Sequence, residues 1–245
     1  MDRLIYVAMT AAKQATMQQA TVANNLANAT TPGFKQELAA YRAVPAVGGA
    51  GYQSRAFVVE QTTGSDFTPG TLQTTGRELD VAVTTEGMFA VQTSNGEAYT
   101  RNGSLSIDAT GLLKTREGLP VLGDGGPIVL PPDSIITFGK DGTVSAAPIA
   151  DPAQTNEIGR MKLVKPNERD LERGSDGLFR PRDGQPLQVD AAVQVTNGML
   201  EASNVNSVEQ LVKMIDYQRH YDLQVRMLQT ADQNARAAAQ ILTMS

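Results

Sequence analysis

No glycine and no proline occurs in the first 31 residues or in the last 47; all 22 glycines and all 12 prolines lie between Pro32 and Gly198. These two residue types are the strongest punctuators of backbone conformation, and either one weakens or breaks a helix interior. The partition therefore predicts helical ends around a turn-rich middle. It divides the chain into an N-terminal helix over 1–31, a central β-rich domain with extended linkers over 32–198, and a C-terminal helix over 199–245. The expected fold class is α+β, with the two terminal helices pairing as a coiled-coil-like α-domain that flanks a central antiparallel all-β domain.

The middle reads as short strands. Leu79, Val81 and Val83 alternate with polar partners, and Phe89 and Val91 continue the pattern beyond Glu86-Gly87. Ser94-Asn95-Gly96 suits a hairpin turn leading to Tyr99-Thr100-Arg101. Apolar runs follow at Leu105-Ile107, Leu112-Leu113, Val121-Leu122, Ile128-Leu130, Ile135-Phe138 and Met161-Val164, most of them separated by turns such as Asp141-Gly142 and Asp176-Gly177. Turn signals at this density predict antiparallel pairing instead of βαβ units. Residues 42–54 and 146–157 read as loops.

The C-terminal segment has the stronger helical pattern. Ser207 with Gln210 three residues on makes a capping box. Leu211, Met214, Gln218, Tyr221, Val225, Leu228, Asp232, Ala235, Ala239 and Leu242 then recur at alternating spacings of three and four, a heptad seam. Glu209, Asp222 and Asp232 each precede a basic residue by four, which supports the helix by a few tenths of a kcal/mol per pair. A helix over 207–243 spans ~55 Å at 1.5 Å per residue.

The N-terminal segment has a weaker seam through Ile5, Met9, Ala12, Thr16, Gln19, Ala23 and Leu26. Between Lys13 and Lys35 it carries no charge, whereas a helix washed by water usually carries Lys and Glu opposite its apolar stripe. Uncharged Gln, Thr and Asn permit close packing on several sides without burying an unpaired charge. Such a seam buries little area, while ordering each residue costs about 1–2 kcal/mol of backbone entropy. The helix is therefore expected to be marginal alone and stable when further copies surround it. Thr30-Thr31-Pro32-Gly33 ends it: Pro32 lacks an amide hydrogen and Gly33 permits a reversal.

Bulk composition excludes several classes. A net charge of -5 and a pI near 5.0 argue against nucleic-acid binding. With no Cys there is no disulfide, thiol nucleophile or thiolate metal site. The longest apolar run near the start, Leu4 to Met9, is shorter than the core of a cleaved signal peptide, so an intact N-terminus is expected. No stretch approaches the ~20 apolar residues of a membrane-spanning helix, and no membrane insertion is expected.

Three stretches, in order, resemble one family. "NNLANATTPGFK", residues 24–35, is similar to the N-terminal signature of bacterial flagellar rod and hook proteins. "YTRNGSLSIDATGLLKTREGLPVLG", residues 99–123, resembles their shared β-segment, and "SNVNSVEQLVKMIDYQRHYDLQVRMLQTAD", residues 203–232, their C-terminal helix. Within the family, the length, the opening "MDRLIYVAMTAAKQAT", the "YRAVPA" stretch and the "ILTMS" ending look like a proximal rod subunit more than a distal one. The resemblance implies a non-enzymatic structural subunit of the basal-body rod in the periplasm, exported by the flagellar type III apparatus and part of the tube that transmits torque from motor to hook. Its implied partners are copies of itself and other rod subunits, proximal and distal, and it implies no cofactor. Carried onto this sequence, the subunit-packing residues are Asn24, Asn25, Leu26, Asn28, Pro32, Gly33 and Phe34 at one end. At the other they are Asn204, Asn206, Leu211, Met214, Arg219, Tyr221, Val225 and Leu228, with Arg219 lying off the seam.

Catalytic constellations are weak by comparison. His220 is the single histidine, four residues after Asp216 on a helix, where a solvated or interface role is expected. "GDGGP" lacks the Lys and following helix of a phosphate loop. "DATGLLKTREG" lacks the spaced acids and closing Glu of a calcium loop. A carboxylate pair such as Asp80 and Glu86 in a cleft would suit a glycosidase, although scattered surface acids are commoner. The rival reading from another class is a secreted β-rich module that binds or hydrolyses cell-wall saccharide, for which two heptad-patterned terminal helices have no evident use.

Overall fold

The computed structural model describes residues 2–45, 56–149, 151 and 154–243. It is α+β: an N-terminal helix and a C-terminal helix flank a β-rich middle. Contacts gather the chain into two units. The first comprises Met1–Ala29, Gln36–Asp66 and Val205–Ser245, and the second Thr30–Lys35 and Phe67–Asn204.

In the first unit, α1 (Asp2–Ala27) packs against α2 (Ser207–Thr243). The α1 helix ends in a tightened turn, in which the Asn28 amide reaches the carbonyls of both Asn24 and Asn25 and that of Ala29 reaches Leu26. An antiparallel hairpin of β1 (Glu37–Pro45) and β2 (Ala56–Ser65) completes the unit, with Glu37 opposite Ser65 and a bulge at Ala40/Tyr41. The expected loop over 42–54 is corrected here: residues 42–45 belong to β1, and 46–54 lie outside the described residues. The cause is local. Asn25 is buried and clasps the start of β1, its Nδ2 donating to the Glu37 carbonyl (2.9 Å) and its Oδ1 accepting from the Glu37 amide (2.8 Å).

The second unit is antiparallel throughout its described strand pairs. Its largest sheet has five strands, in the order Leu163–Val164, Met88–Thr93, Gly96–Thr100, Phe179–Pro181 and Leu171–Arg173. The Met88–Thr93 and Gly96–Thr100 strands join through Ser94-Asn95, with Gly96 at φ 102° where a side chain would be strained. A three-stranded sheet runs Ser134–Phe138, Thr143–Pro148 and Asn156–Arg160. The loop expected over 146–157 therefore narrows, since 146–148 and 156–157 are strand.

The main core joins Val81, Val83, Phe89, Leu105, Leu113, Leu130, Met161 and Leu163, all essentially inaccessible. Strand Val81–Val83 is buried on both faces, Ala82 and Asp80 included, so the alternating in–out pattern expected there does not hold. That strand pairs with Val195–Asn197, and Leu72–Thr74 pairs with Met199–Glu201, so the segment leading toward α2 is stitched into the unit by two ladders.

Candidate functional site

Both helices of the first unit are thinly buried. On α1 the inward side chains are Ala8, Ala12, Gln14, Ala15, Val22 and Asn25. The expected seam holds at alternate positions and slips by one at the others: Ala12 is buried and Ile5, Gln19 and Leu26 are half-buried, whereas Met9, Thr16 and Ala23 face outward and Ala8, Ala15 and Val22 take their places. Of the described side chains of α2, only Gln210 and Ala231 are buried. Apolar side chains instead lie open along the helix: Val208 at 68%, Val212 and Ile215 at 54% each and Leu223 at 52%, with Leu211 and Met227 beside them. These fall at helical spacing and form a stripe that the isolated chain leaves uncovered. A helix end interrupts nothing here, because the start of α2 is capped from within the chain. Asn206 Oδ1 accepts from the amides of Val208 (3.1 Å) and Glu209 (3.2 Å), so Asn206 is the cap, and the Ser207–Gln210 capping box does not form. Glu209–Lys213 and Asp232–Arg236 pair as expected, whereas Asp222 accepts from Gln218 (3.4 Å).

The second unit holds a buried ionic cluster that sequence reasoning missed. One Glu201 oxygen takes Lys35 Nζ at 2.7 Å and the Gly70 amide at 2.9 Å; the other takes Arg101 Nε at 2.6 Å. Lys35 also donates to the Thr68 carbonyl (2.9 Å), and Arg101 reaches the carbonyls of Thr85 (2.8 Å) and Gly87 (2.7 Å). All three ionic side chains are nearly inaccessible. Burial pushes the Glu201 carboxyl upward, but the Arg101 guanidinium and the Lys35 ammonium outweigh it and hold the group below the ordinary carboxylate range. The partners lie 166 and 100 residues apart in sequence, and no spacing pattern connects them.

Gly33 is locked onto this cluster. Its amide donates to the Glu201 carbonyl (2.7 Å), its φ is +69°, and a Cβ there would stand 2.4 Å from the Arg101 carbonyl carbon. Phe34 is buried beneath the Arg173 guanidinium, 4.1 Å from the ring centroid. Asn204 bonds Thr68 through its side chain and the Phe34 carbonyl through its amide.

The residues expected to pack between subunits are thus divided. Asn25, Gly33, Phe34, Asn204 and Asn206 are engaged within the chain. Asn24 is exposed and bonds Asn28, Leu26 and Pro32 are half-buried, and Leu211, Arg219 and Tyr221 are exposed on α2. Met214, Val225 and Leu228 are half-buried. His220 is exposed. Among the described residues no His, Asp or Glu cluster is arranged to hold a metal, and no helix is long and apolar enough to cross a membrane.

Three family models match: the flagella basal body rod protein over residues 5–35, the D1 domain of the flagellar hook protein FlgE/F/G over 82–146, and the C-terminal part of the flagellar basal body rod FlgEFG protein over 196–241. Lys35, Arg101 and Glu201 fall one in each, so the three matched stretches meet at a single carboxylate. Among curated relatives, the flagellar basal-body rod protein FlgF of Escherichia coli (strain K12) is 47% identical over 253 residues, covering 100% of both chains. FlgF of Caulobacter vibrioides is 35% identical over 99% of this chain and 98% of its own length. The rod protein FlgG of Buchnera aphidicola subsp. Schizaphis graminum is 32% identical over 90% of this chain and 92% of its own length.

Proposed function

The chain belongs to the flagellar basal-body rod protein family and is a structural subunit of that rod, not an enzyme; from this premise we propose that its two terminal helices are the surfaces through which it assembles. Its place is the basal-body rod, and its partners are other rod components.

The observation that carries the assembly reading is the uncovered stripe Val208, Leu211, Val212, Ile215, Leu223 and Met227 on α2. Fully burying such a side chain is worth about 1.5–3 kcal/mol. Leaving a row of them in water is costly for a solitary chain and favourable for one enclosed by neighbours. On α1 the outward Met9, Thr16, Met17 and Ala23 and the absence of charge after Lys13 have the same sense. A heterologous contact repeated by rotation and rise builds a tube.

In this reading the helices pair in coiled-coil fashion as an assembly domain of residues 1–31 and 199–245, with 32–198 lying outside it. The packing set is Asn24, Leu26, Asn28, Pro32, Leu211, Met214, Arg219, Tyr221, Val225 and Leu228, while Asn25, Gly33, Phe34, Asn204 and Asn206 are engaged within the chain. The subunit occupies the proximal part of the rod, as the full-length match to FlgF relatives supports. It reaches the periplasm through the flagellar type III export apparatus and carries torque between motor and hook.

The test is the paired substitution Ile215→Asp and Leu223→Asp in cells lacking the native chain. Loss of the subunit from purified basal bodies at unchanged cellular protein level supports the reading. Normal incorporation and motility would refute it.

A further inference from the structure

Beside the ionic cluster, within the second unit, lies a cleft of about 710 Å³, a size typical of ligand-holding pockets. Four of its lining side chains are cationic (Lys35, Arg101, Lys165 and Arg169), against one carboxylate, Glu86. This is a cationic hollow in a chain of net charge -5.

The two pairs of cations differ in availability. At the floor, Arg101 is largely committed: Nε goes to Glu201, Nη1 to the Thr85 and Gly87 carbonyls, and Nη2 to the Val83 carbonyl. Lys35 is committed to Glu201 and Thr68. At the rim, Arg169 is exposed and makes no ion pair or hydrogen bond among the described residues. Lys165 pairs with Glu86 at 3.0 Å, but the two side chains are 51% and 81% exposed, and such a pair yields readily to another carboxylate. Phe67, Met88, Pro69 and Pro166 give the cleft an apolar part, beside Thr84, Thr85 and Asn167.

We propose that this cleft seats a short peptide segment of an adjoining rod subunit, with an apolar side chain set against Phe67, Met88 and Pro166 and a carboxylate held at the rim by Arg169 and Lys165. A free phosphate group fits less well, because the floor cations are already engaged by Glu201 and backbone carbonyls and the apolar lining would go unused. An acidic peptide uses the rim cations and the apolar lining together. Neighbouring copies of so acidic a chain supply carboxylates in plenty, and the field of the hollow guides them in. The inference rests on the rod-subunit reading, since it takes the neighbour from there.

The chain contains no cysteine, so a thiol introduced by Asn167→Cys at the rim is unique. Its alkylation by a benzophenone maleimide is measured in the purified chain and in purified basal bodies, followed by photocrosslinking and peptide mapping. Alkylation slowed at least about tenfold in basal bodies, or a crosslink to an Asp- or Glu-containing peptide of another rod subunit, supports the proposal. So does failure of Lys165→Glu with Arg169→Glu to incorporate while the purified double variant melts as the native chain does. Equal alkylation in both states with no intersubunit crosslink, or a crosslink to a protein outside the rod, overturns it while leaving the rod-subunit reading intact. Absence of the chain from basal bodies overturns both.

Discussion

At the scale of single residues, Gly33 and Glu201 tie the signature segment Thr30–Lys35 into the second unit. Gly33 was legible in the sequence as a place for chain reversal, and its φ of +69° bears that out. The close approach of Arg101 was not legible, because no local pattern reports what another segment will bring near. Gly33→Ala meets both a left-handed backbone, worth about 1–2 kcal/mol, and a backbone clash. Thermal unfolding of the purified chain should show the second unit destabilised by at least about 2 kcal/mol. Glu201→Gln leaves two buried cations sharing a neutral amide. Removing one member of a buried ion pair costs about 3–5 kcal/mol, and denaturant unfolding at pH 7 measures it. Because the folded Glu201 carboxyl lies below its ordinary value of 4.5, its contribution is present above that pH and is lost as pH falls through the folded value. The stability gap between the native chain and Glu201→Gln should therefore narrow on acidification below about 4.5 and stay constant above about pH 6.

At the scale of elements, the helices were the most legible part. Glycine and proline avoidance predicted helices within 1–31 and 199–245, and the structure has Asp2–Ala27 and Ser207–Thr243. Their faces were less so. A seam of Ala, Thr and Gln has nearly uniform polarity, and the α1 pattern slipped by one position at Met9, Thr16 and Ala23 because nothing in it separates Ala8 from Met9 as an inward residue. The cap of α2 was misread for a related reason: Ser207 and Asn206 are both good caps, and backbone geometry chose Asn206. Asn206→Ala should cost about 1 kcal/mol and raise amide exchange in the first turn of α2, while Ser207→Ala should cost far less. The hairpin of β1 and β2 escaped notice because Ala-rich "ELAAYRAVP" has weak strand propensity and is fixed by Asn25, a residue of another element. Short strands such as Ser134–Phe138 were readable from the turns that bound them. Val81–Val83 was readable as a strand but not as one buried on both faces, since that depends on what packs above and below.

At the scale of the whole molecule, the three stretches matched by the family models converge on Glu201, which joins Lys35 and Arg101 within the second unit in a way that sequence order hides. The solitary molecule leaves α2 with two buried side chains among those described and α1 with a row of small ones. Gln14 and Gln210 bury amide nitrogens that find no partner among the described residues, and buried unpaired donors destabilise by about 1–3 kcal/mol each. In the proposed assembly such helices would gain their missing surroundings from neighbouring subunits. The most direct measurement is amide hydrogen exchange across residues 3–28, compared between the free chain and purified rods. The account predicts exchange within minutes in the free chain, far faster than in the core strand Met88–Thr93, and strong protection once assembled. Protection of residues 3–28 in the free chain equal to that of the core strand, unchanged by assembly, would contradict it.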